Sequence, residues 1–224
     1  MKKLLAALLC VGLLTTGASA FTFEELDNSE VFAPEIIQKE TVSSWAKAEV
    51  AAARQAGLVP VLTGDPGYQD AITREQFAEL VVQFLRTVDP QITDSHTQLT
   101  MFDDCQNHIV ALASAVGVVN GVGDNKFAPE QTTNREQIAA MIARAIGVIE
   151  TAKSVDLTPA PASIENFTDK GQVSGWAVEG VGTLAANGIM NGTSSTTLSP
   201  KSGCTVEQSI CLIYRVYQTI QAKS

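Results

Sequence analysis

Residues 72–80 read ITREQFAEL, and the fold turns on how this stretch is understood. Thr73 followed three residues later by Gln76 has the pattern of a capping box. The hydroxyl accepts from the third amide of a helix, and the Gln side chain reaches back to the cap's own amide. The stretch therefore predicts a helix start. Phe77, Leu80, Val81, Phe84 and Leu85 continue it with one buried apolar stripe. Arg74 is the residue that needs explaining. A cation in the first turn faces the positive end of the helix dipole, at a cost of a few tenths to about 1 kcal/mol.

The same start recurs twice, as Asn134-Arg135-Glu136-Gln137 and as Thr205-Val206-Glu207-Gln208. Apolar stripes follow both: Ile138, Met141, Ile142, Ala145 and Ile146 in the second copy, Leu212, Ile213, Val216 and Tyr217 in the third. Ser209 weakens the third locally. Upstream of each start lies another helical stretch that ends on a glycine, Gly57, Gly117 or Gly188, suited to the left-handed position that closes a helix. Trp45 and Trp176 each stand twelve residues before their glycine; Cys105 holds that offset in the second copy, whose first helix is expected to be shorter and lacks a tryptophan. Turn-rich loops join the paired helices, with Tyr68, Phe127 and Leu198 as candidates for short extended segments packing inward.

These periods divide the chain into three modules, 42–88, 102–148 and 166–220, separated by linkers at 89–101 and 149–165. One helix–loop–helix unit cannot bury its apolar stripe alone, so the three are expected to pack on one another as one mainly α domain. Residues 1–20 have the parts of a secretory signal peptide: Lys2 and Lys3, the apolar run 4–14 with Cys10 inside it, and Ala18-Ser19-Ala20 before the cleavage point. Residues 21–41 form an N-terminal arm outside the repeats. No later apolar stretch approaches the roughly 18 residues of a transmembrane helix, so a secreted, soluble chain is expected.

Removing the signal peptide takes the formal charge from −9 to −11. An acidic chain argues against a nucleic-acid partner, which needs a basic field. It still permits an anionic ligand held at short range by a few arginines. Cys105, Cys204 and Cys211 remain, an odd number without metal spacing, and no cofactor or metal site is expected. Cys204 and Cys211 would be too far apart to bridge if both were helical, while a bridge from Cys105 to either stays open.

With its elements in place the sequence resembles three S-layer homology modules. The residues that carry the resemblance are ITREQ, NREQ and the degenerate CTVEQ; SSWAKAEVAAARQAGLVP; FDDC with GVVNGVGDNKFAPEQ; and FTDKGQVSGWAVEGVGTLAANGIMNG with LSPK. The resemblance covers about residues 42–220. It implies a pseudo-threefold helical spindle that attaches an exported protein noncovalently to the cell wall. The ligand it implies is an acidic, often pyruvylated, secondary cell-wall polysaccharide or peptidoglycan-linked polymer, bound in grooves between modules. Arg74 and Arg135 match the arginine implicated in gripping the acidic sugar, Trp45 and Trp176 the helix tryptophan, and Asp104 and Asp169 the Asp of a Phe-x-Asp start. Val206 replaces the third arginine, so that groove is expected to lack its ion pair.

Each feature also has a plainer reading. The cap residues, kept in every copy, serve folding, and Asp104 and Asp169 would serve as helix caps. The arginines would be solvated first-turn side chains beside Glu75 and Glu136. The ligand reading instead pairs each guanidinium with free helix amides as a composite anion site. The tryptophans would be core or staple residues. Asp124-Asn125 lacks the ladder of a calcium loop and reads as a turn. His96 and His108, the two histidines, pair with no nucleophile motif, so no enzyme is expected. The rival functional reading is a structural or interaction subunit of a cell-surface assembly with surface-protein partners.

Overall fold

A computed structural model describes residues 41–223; the expected signal peptide and all but the last residue of the N-terminal arm lie outside them. The described residues are mainly helical, with isolated bridges and no named strand among them. The helices are α1 (Lys47–Gln55), α2 (Arg74–Val88), α3 (Pro90–Asp94), α4 (His108–Ala115), α5 (Arg135–Lys153), α6 (Val178–Ala186) and α7 (Val206–Gln221).

All three expected capping boxes form. The cap side chains of Thr73, Asn134 and Thr205 accept from the amides of Gln76, Gln137 and Gln208 at 3.2, 3.0 and 3.3 Å, and each glutamine accepts in return from its cap amide. The glycines close the upstream helices as the sequence implies. Gly57, Gly117 and Gly188 have φ of 74, 86 and 70°, and the next amides, of Leu58, Val118 and Ile189, bond back to Ala53, Ala113 and Leu184. A β-carbon is strained at such angles, which is why glycine stands there.

The modules interlock in a closed ring. Backbone amides of Ile72, Thr133 and Cys204, each two residues before a capped helix, donate in a cycle: Thr133 to Ile72, Ile72 to Cys204, Cys204 to Thr133, at 3.0–3.1 Å. The first two amides of each capped helix then donate into the loop of the next module. Arg74 and Glu75 bond the carbonyls of Gln131 and Pro129, Arg135 and Glu136 those of Ser202 and Pro200, and Val206 and Glu207 those of Asp70 and Tyr68. These donors have no partner inside their own helix, so the neighbouring module satisfies them.

The upstream helices follow the same cycle. α4 of the second module packs on α2 of the first, α6 of the third on α5 of the second, and α1 of the first on α7 of the third. Helices α2, α5 and α7 also meet one another around the centre, burying Phe77, Phe84, Ile138, Ile142, Ile213 and Val216. Each such side chain contributes about 1.5–3 kcal/mol relative to exposure. Phe127 and Leu198 pack inward as expected, and Tyr68 is half-buried. Ser209, the apparent weak point of the third stripe, is fully buried but donates to the Thr205 carbonyl at 2.9 Å.

Two expectations about the connections need correction. The 89–101 linker contains α3, capped by the Asp89 carboxylate on the Gln91 amide with Pro90 at the first helical position. The 149–165 linker begins inside α5, which runs to Lys153 and stops at Ser154 in the left-handed region, φ 54°. Beyond it, Glu150 accepts from the amides of Leu157 and Thr158, and Asn187 clamps Ala160 through both its amide and its carbonyl. The three cysteines are buried free thiols, so no Cys105 bridge forms.

Candidate functional site

The arginines are not solvated. Arg74 and Arg135 are each 8% exposed, and their guanidiniums reach into the loop of the next module. Arg74 donates from Nε to the Phe127 carbonyl and from Nη2 to that of Asn120, both at 2.8 Å. Arg135 donates to Leu198 at 2.9 Å and Asn191 at 2.7 Å. Arg74 also lies over the Phe127 ring, 4.6 Å from its centroid, and Phe127 rests on Phe102. The cation that looked misplaced at a helix start is thus an inter-module fastener, and its cost there is offset by charge-assisted bonds to backbone carbonyls. Burial lowers the pKa of both guanidiniums, and a second arginine adds to it: Arg144 for Arg74 and Arg215 for Arg135. Both stay charged, since arginine does not lose its proton in proteins.

The neighbouring glutamates do a parallel job. Glu136 accepts from the amide of Ser174 at 2.9 Å and its hydroxyl at 3.0 Å, and from Lys201; Glu207 accepts from the Ser43 amide at 2.9 Å; Glu75 accepts from Asn107 Nδ2 at 2.8 Å. Each carboxylate thereby pins the start of the upstream helix that packs against it. Burial pushes Glu136 up, but Lys201 and Ser174 outweigh it and hold it below the usual range.

This pattern also corrects a register. Ser43 and Ser174 stand two residues before Trp45 and Trp176, and Asn107, in the same role, stands two before Ile109. Ile109, not Cys105, therefore takes the tryptophan's place in the second module; Cys105 is buried. The upstream helix has lost one turn there.

The tryptophans reverse the packing expectation. Trp45 is 55% exposed and Trp176 59%, each just before its helix begins. Trp45 lines a groove of about 390 Å³ with Arg135, Gly192, Gln208, Cys211 and Arg215. Three modules contribute to it: the tryptophan comes from the first, Arg135 from the second, and the loop and α7 from the third. The pseudo-symmetry gives the other two grooves. By repeat position, the equivalents of Trp45, Arg135 and Arg215 are Trp176 on the turn packed against α5, Arg74 and Arg144 in one, and Ile109 on α4, packed against α2, Val206 and Gln83 in the other.

Sorted this way, the two departures seen in the sequence fall together. Val206 and the missing tryptophan belong to the same groove, where Gln83 also replaces the arginine of the other helices. That groove is acidic: Glu79 is buried there, accepting from Thr63 and Asn107. The other two grooves each keep a tryptophan and two arginines.

Asp104 and Asp169 are not helix caps. Asp104 accepts from the amides of Phe127 and Ala128 at 2.7 and 2.9 Å, Asp169 from those of Leu198 and Ser199 at 2.8 and 2.7 Å, so each braces the loop that receives an arginine. The Phe127 amide bond leads in holding Asp104 below its ordinary pKa; for Asp169, burial acts upward but the two loop amides prevail. The helix-start amides are all taken by neighbouring carbonyls or caps, so the composite anion site of guanidinium plus free amides does not exist. Arg144 and Arg215 escaped the sequence reading, and Gln208 enters it only as part of a cap. The signal was an arginine nine residues after the helix start in the second and third copies. Asp124 and Asn125 form a left-handed turn, and among the described residues no cluster of side chains could hold a metal. No helix there is long and apolar enough to cross a membrane.

Residues 107–139 and 166–205 match the S-layer homology domain. It is similar to an amylopullulanase of Thermoanaerobacterium thermosulfurigenes, 25% identical over 76% of this chain and 9% of that protein. An exoglucanase XynX of Acetivibrio thermocellus is 25% identical over 76% of this chain and 15% of its own length. An endoglucanase of Bacillus sp. (strain KSM-635) is 27% identical over 64% and 14%. The chain thus spans 15% or less of any of these three relatives. S-layer homology domains mediate anchoring at the cell surface.

Proposed function

We propose that this chain, which carries S-layer homology domain sequence in its second and third modules, is an exported, noncatalytic wall-binding protein. Its ligand is an acidic secondary wall polysaccharide, pyruvylated or otherwise carboxylated. Two inter-module grooves hold it: Trp45 with Arg135 and Arg215, and Trp176 with Arg74 and Arg144. The observation that carries this reading is the exposure of both tryptophans, Trp45 in one groove with the buried Arg135 and Trp176 at the equivalent position of the next, where a folding role explains the arginines' anchoring but not the bare indoles. An indole face stacks on the apolar face of a sugar ring, and guanidinium N–H groups left over from the backbone bonds reach a carboxylate. The segments shared with the glucan-named relatives are a small fraction of those proteins, which supports attachment rather than catalysis.

The test is retention on purified cell wall, before and after chemical removal of its secondary polymer. Trp45→Ala with Trp176→Ala should leave the melting temperature within a few degrees, because exposed residues contribute little to stability, yet reduce retention at least about tenfold. Unchanged retention, or equal retention on stripped wall, would sink the reading. Self-association without glycan would favour a subunit of a surface assembly instead.

A further inference from the structure

The two arginine-bearing grooves differ in one decisive residue. In the Trp45 groove, Arg215 is already paired: its Nε and Nη2 donate to the Glu49 carboxylate at 3.0 and 3.1 Å, and the two side chains are about equally half-buried. Glu49 sits four residues after Trp45 on α1, over Cys211 and Arg215 of α7. The residue four after Trp176 is Gly180, which lies over Ala140 of α5, one turn before Arg144. A β-carbon at Gly180 would stand 3.1 Å from the Ala140 α-carbon and 3.4 Å from its amide nitrogen, so the close helix approach leaves no room for a carboxylate side chain.

Arg144 is exposed, and among the described residues it has no hydrogen bond or ion pair. Its charge instead bears on Arg74, depressing that guanidinium's pKa. It also borders a hollow of about 630 Å³ against α3, where the one nearby carboxylate, Asp89, is committed to the Gln91 amide. Asp104 acts on Arg74 as Asp169 acts on Arg135, so the difference lies in the second arginine: among the described residues Arg144 has no carboxylate partner, while Glu49 competes with any anion for Arg215.

We propose that the two grooves take chemically different parts of the polymer, which rests on the reading above. The Trp176 groove, with Arg74 and Arg144, takes the anionic sugar residue. The Trp45 groove, where Glu49 neutralises Arg215, takes an uncharged one. Glu49 is the specificity-determining residue: it withholds Arg215 from the ligand without disturbing the indole platform or the Arg135 fastener.

The chain's two tryptophans make the test direct, because one stands in each groove and their indole N–H signals report the grooves separately. The full chain is titrated by NMR with methyl glucuronide and with methyl glucoside, the signals being assigned with Trp45→Phe and Trp176→Phe. The expected result is a glucuronide affinity about three- to fivefold higher at Trp176 than at Trp45, the size a partly exposed charge pair gives, and no such difference for the glucoside. Glu49→Gln should bring glucuronide affinity at Trp45 up to that at Trp176, and Arg144→Gln should erase the Trp176 advantage. Equal glucuronide responses in the parent chain, or an inert Glu49→Gln, would overturn the proposal while leaving wall binding intact. Silence of both indoles toward both probes and toward solubilised wall polymer would overturn the wall-binding reading with it.

Discussion

Arg135 combines two roles that one substitution cannot separate. Its guanidinium borders the Trp45 groove and also satisfies the carbonyls of Leu198 and Asn191, 63 and 56 residues away in sequence. Arg135→Ala should therefore destabilise the fold by about 2–4 kcal/mol, since buried carbonyls left unpaired cost about 1–3 kcal/mol each. Chemical denaturation would show this directly, and a loss under about 0.5 kcal/mol would refute the fastening role. Sequence alone marked this arginine, because a cation at a helix start conflicts with the dipole, but not its use, because both acceptors are backbone atoms of another module. The plainer reading of the tryptophans as core residues fails for a related reason. Their spacing placed them at helix starts, but whether such a position is covered depends on which neighbouring helix lies against it.

At the scale of elements, the cap boxes, the glycine stops and the apolar stripes were all legible, since each is a local pattern read within one or two turns. What escaped was local structure in polar stretches, such as α3, where a single Asp-Pro pair starts a helix of five residues. The partnership of each helix-start glutamate also escaped. Glu136 is the most informative of these because it is 2% exposed and meets Lys201, Ser174 and no other module's carboxylate. Its folded pKa lies below the ordinary glutamate value of 4.5, so the stability it supplies is fully present above about pH 4.5 and lost as pH falls through the folded pKa. Glu136→Gln should lower stability at pH 7 by about 1–3 kcal/mol and by progressively less toward pH 3. Parallel losses at both pH values in denaturant titrations would contradict the charged latch to Lys201.

For the whole molecule, the ring closes only when all three modules are present. α1 has its packing partner in α7 and α5 has its partner in α6, so deletion of residues 155–224 exposes the apolar faces of both remaining helices. The remainder should show no cooperative thermal transition by calorimetry; a sharp transition within a few degrees of the parent would show that two modules suffice. Three-unit packing was legible from the repeat, because one helix pair cannot cover its own stripe. The direction of the cycle was not, because nothing in a repeat says whether a module lends its first helix forward or backward.

That direction changes how damage to the sequence should be counted. The second module lacks the tryptophan, the third the helix-start arginine, and the first has Gln83 where the others carry Arg144 and Arg215, so on a module-by-module tally none is whole. Because the modules lend their groups sideways, all three departures fall in one groove and the other two keep a tryptophan and two arginines each. The unit repeated in the sequence is the module, but the unit in which the side chains come together is the groove. Departures scattered over three modules of sequence are therefore gathered into a single place in space, and the remaining pair of grooves is left intact.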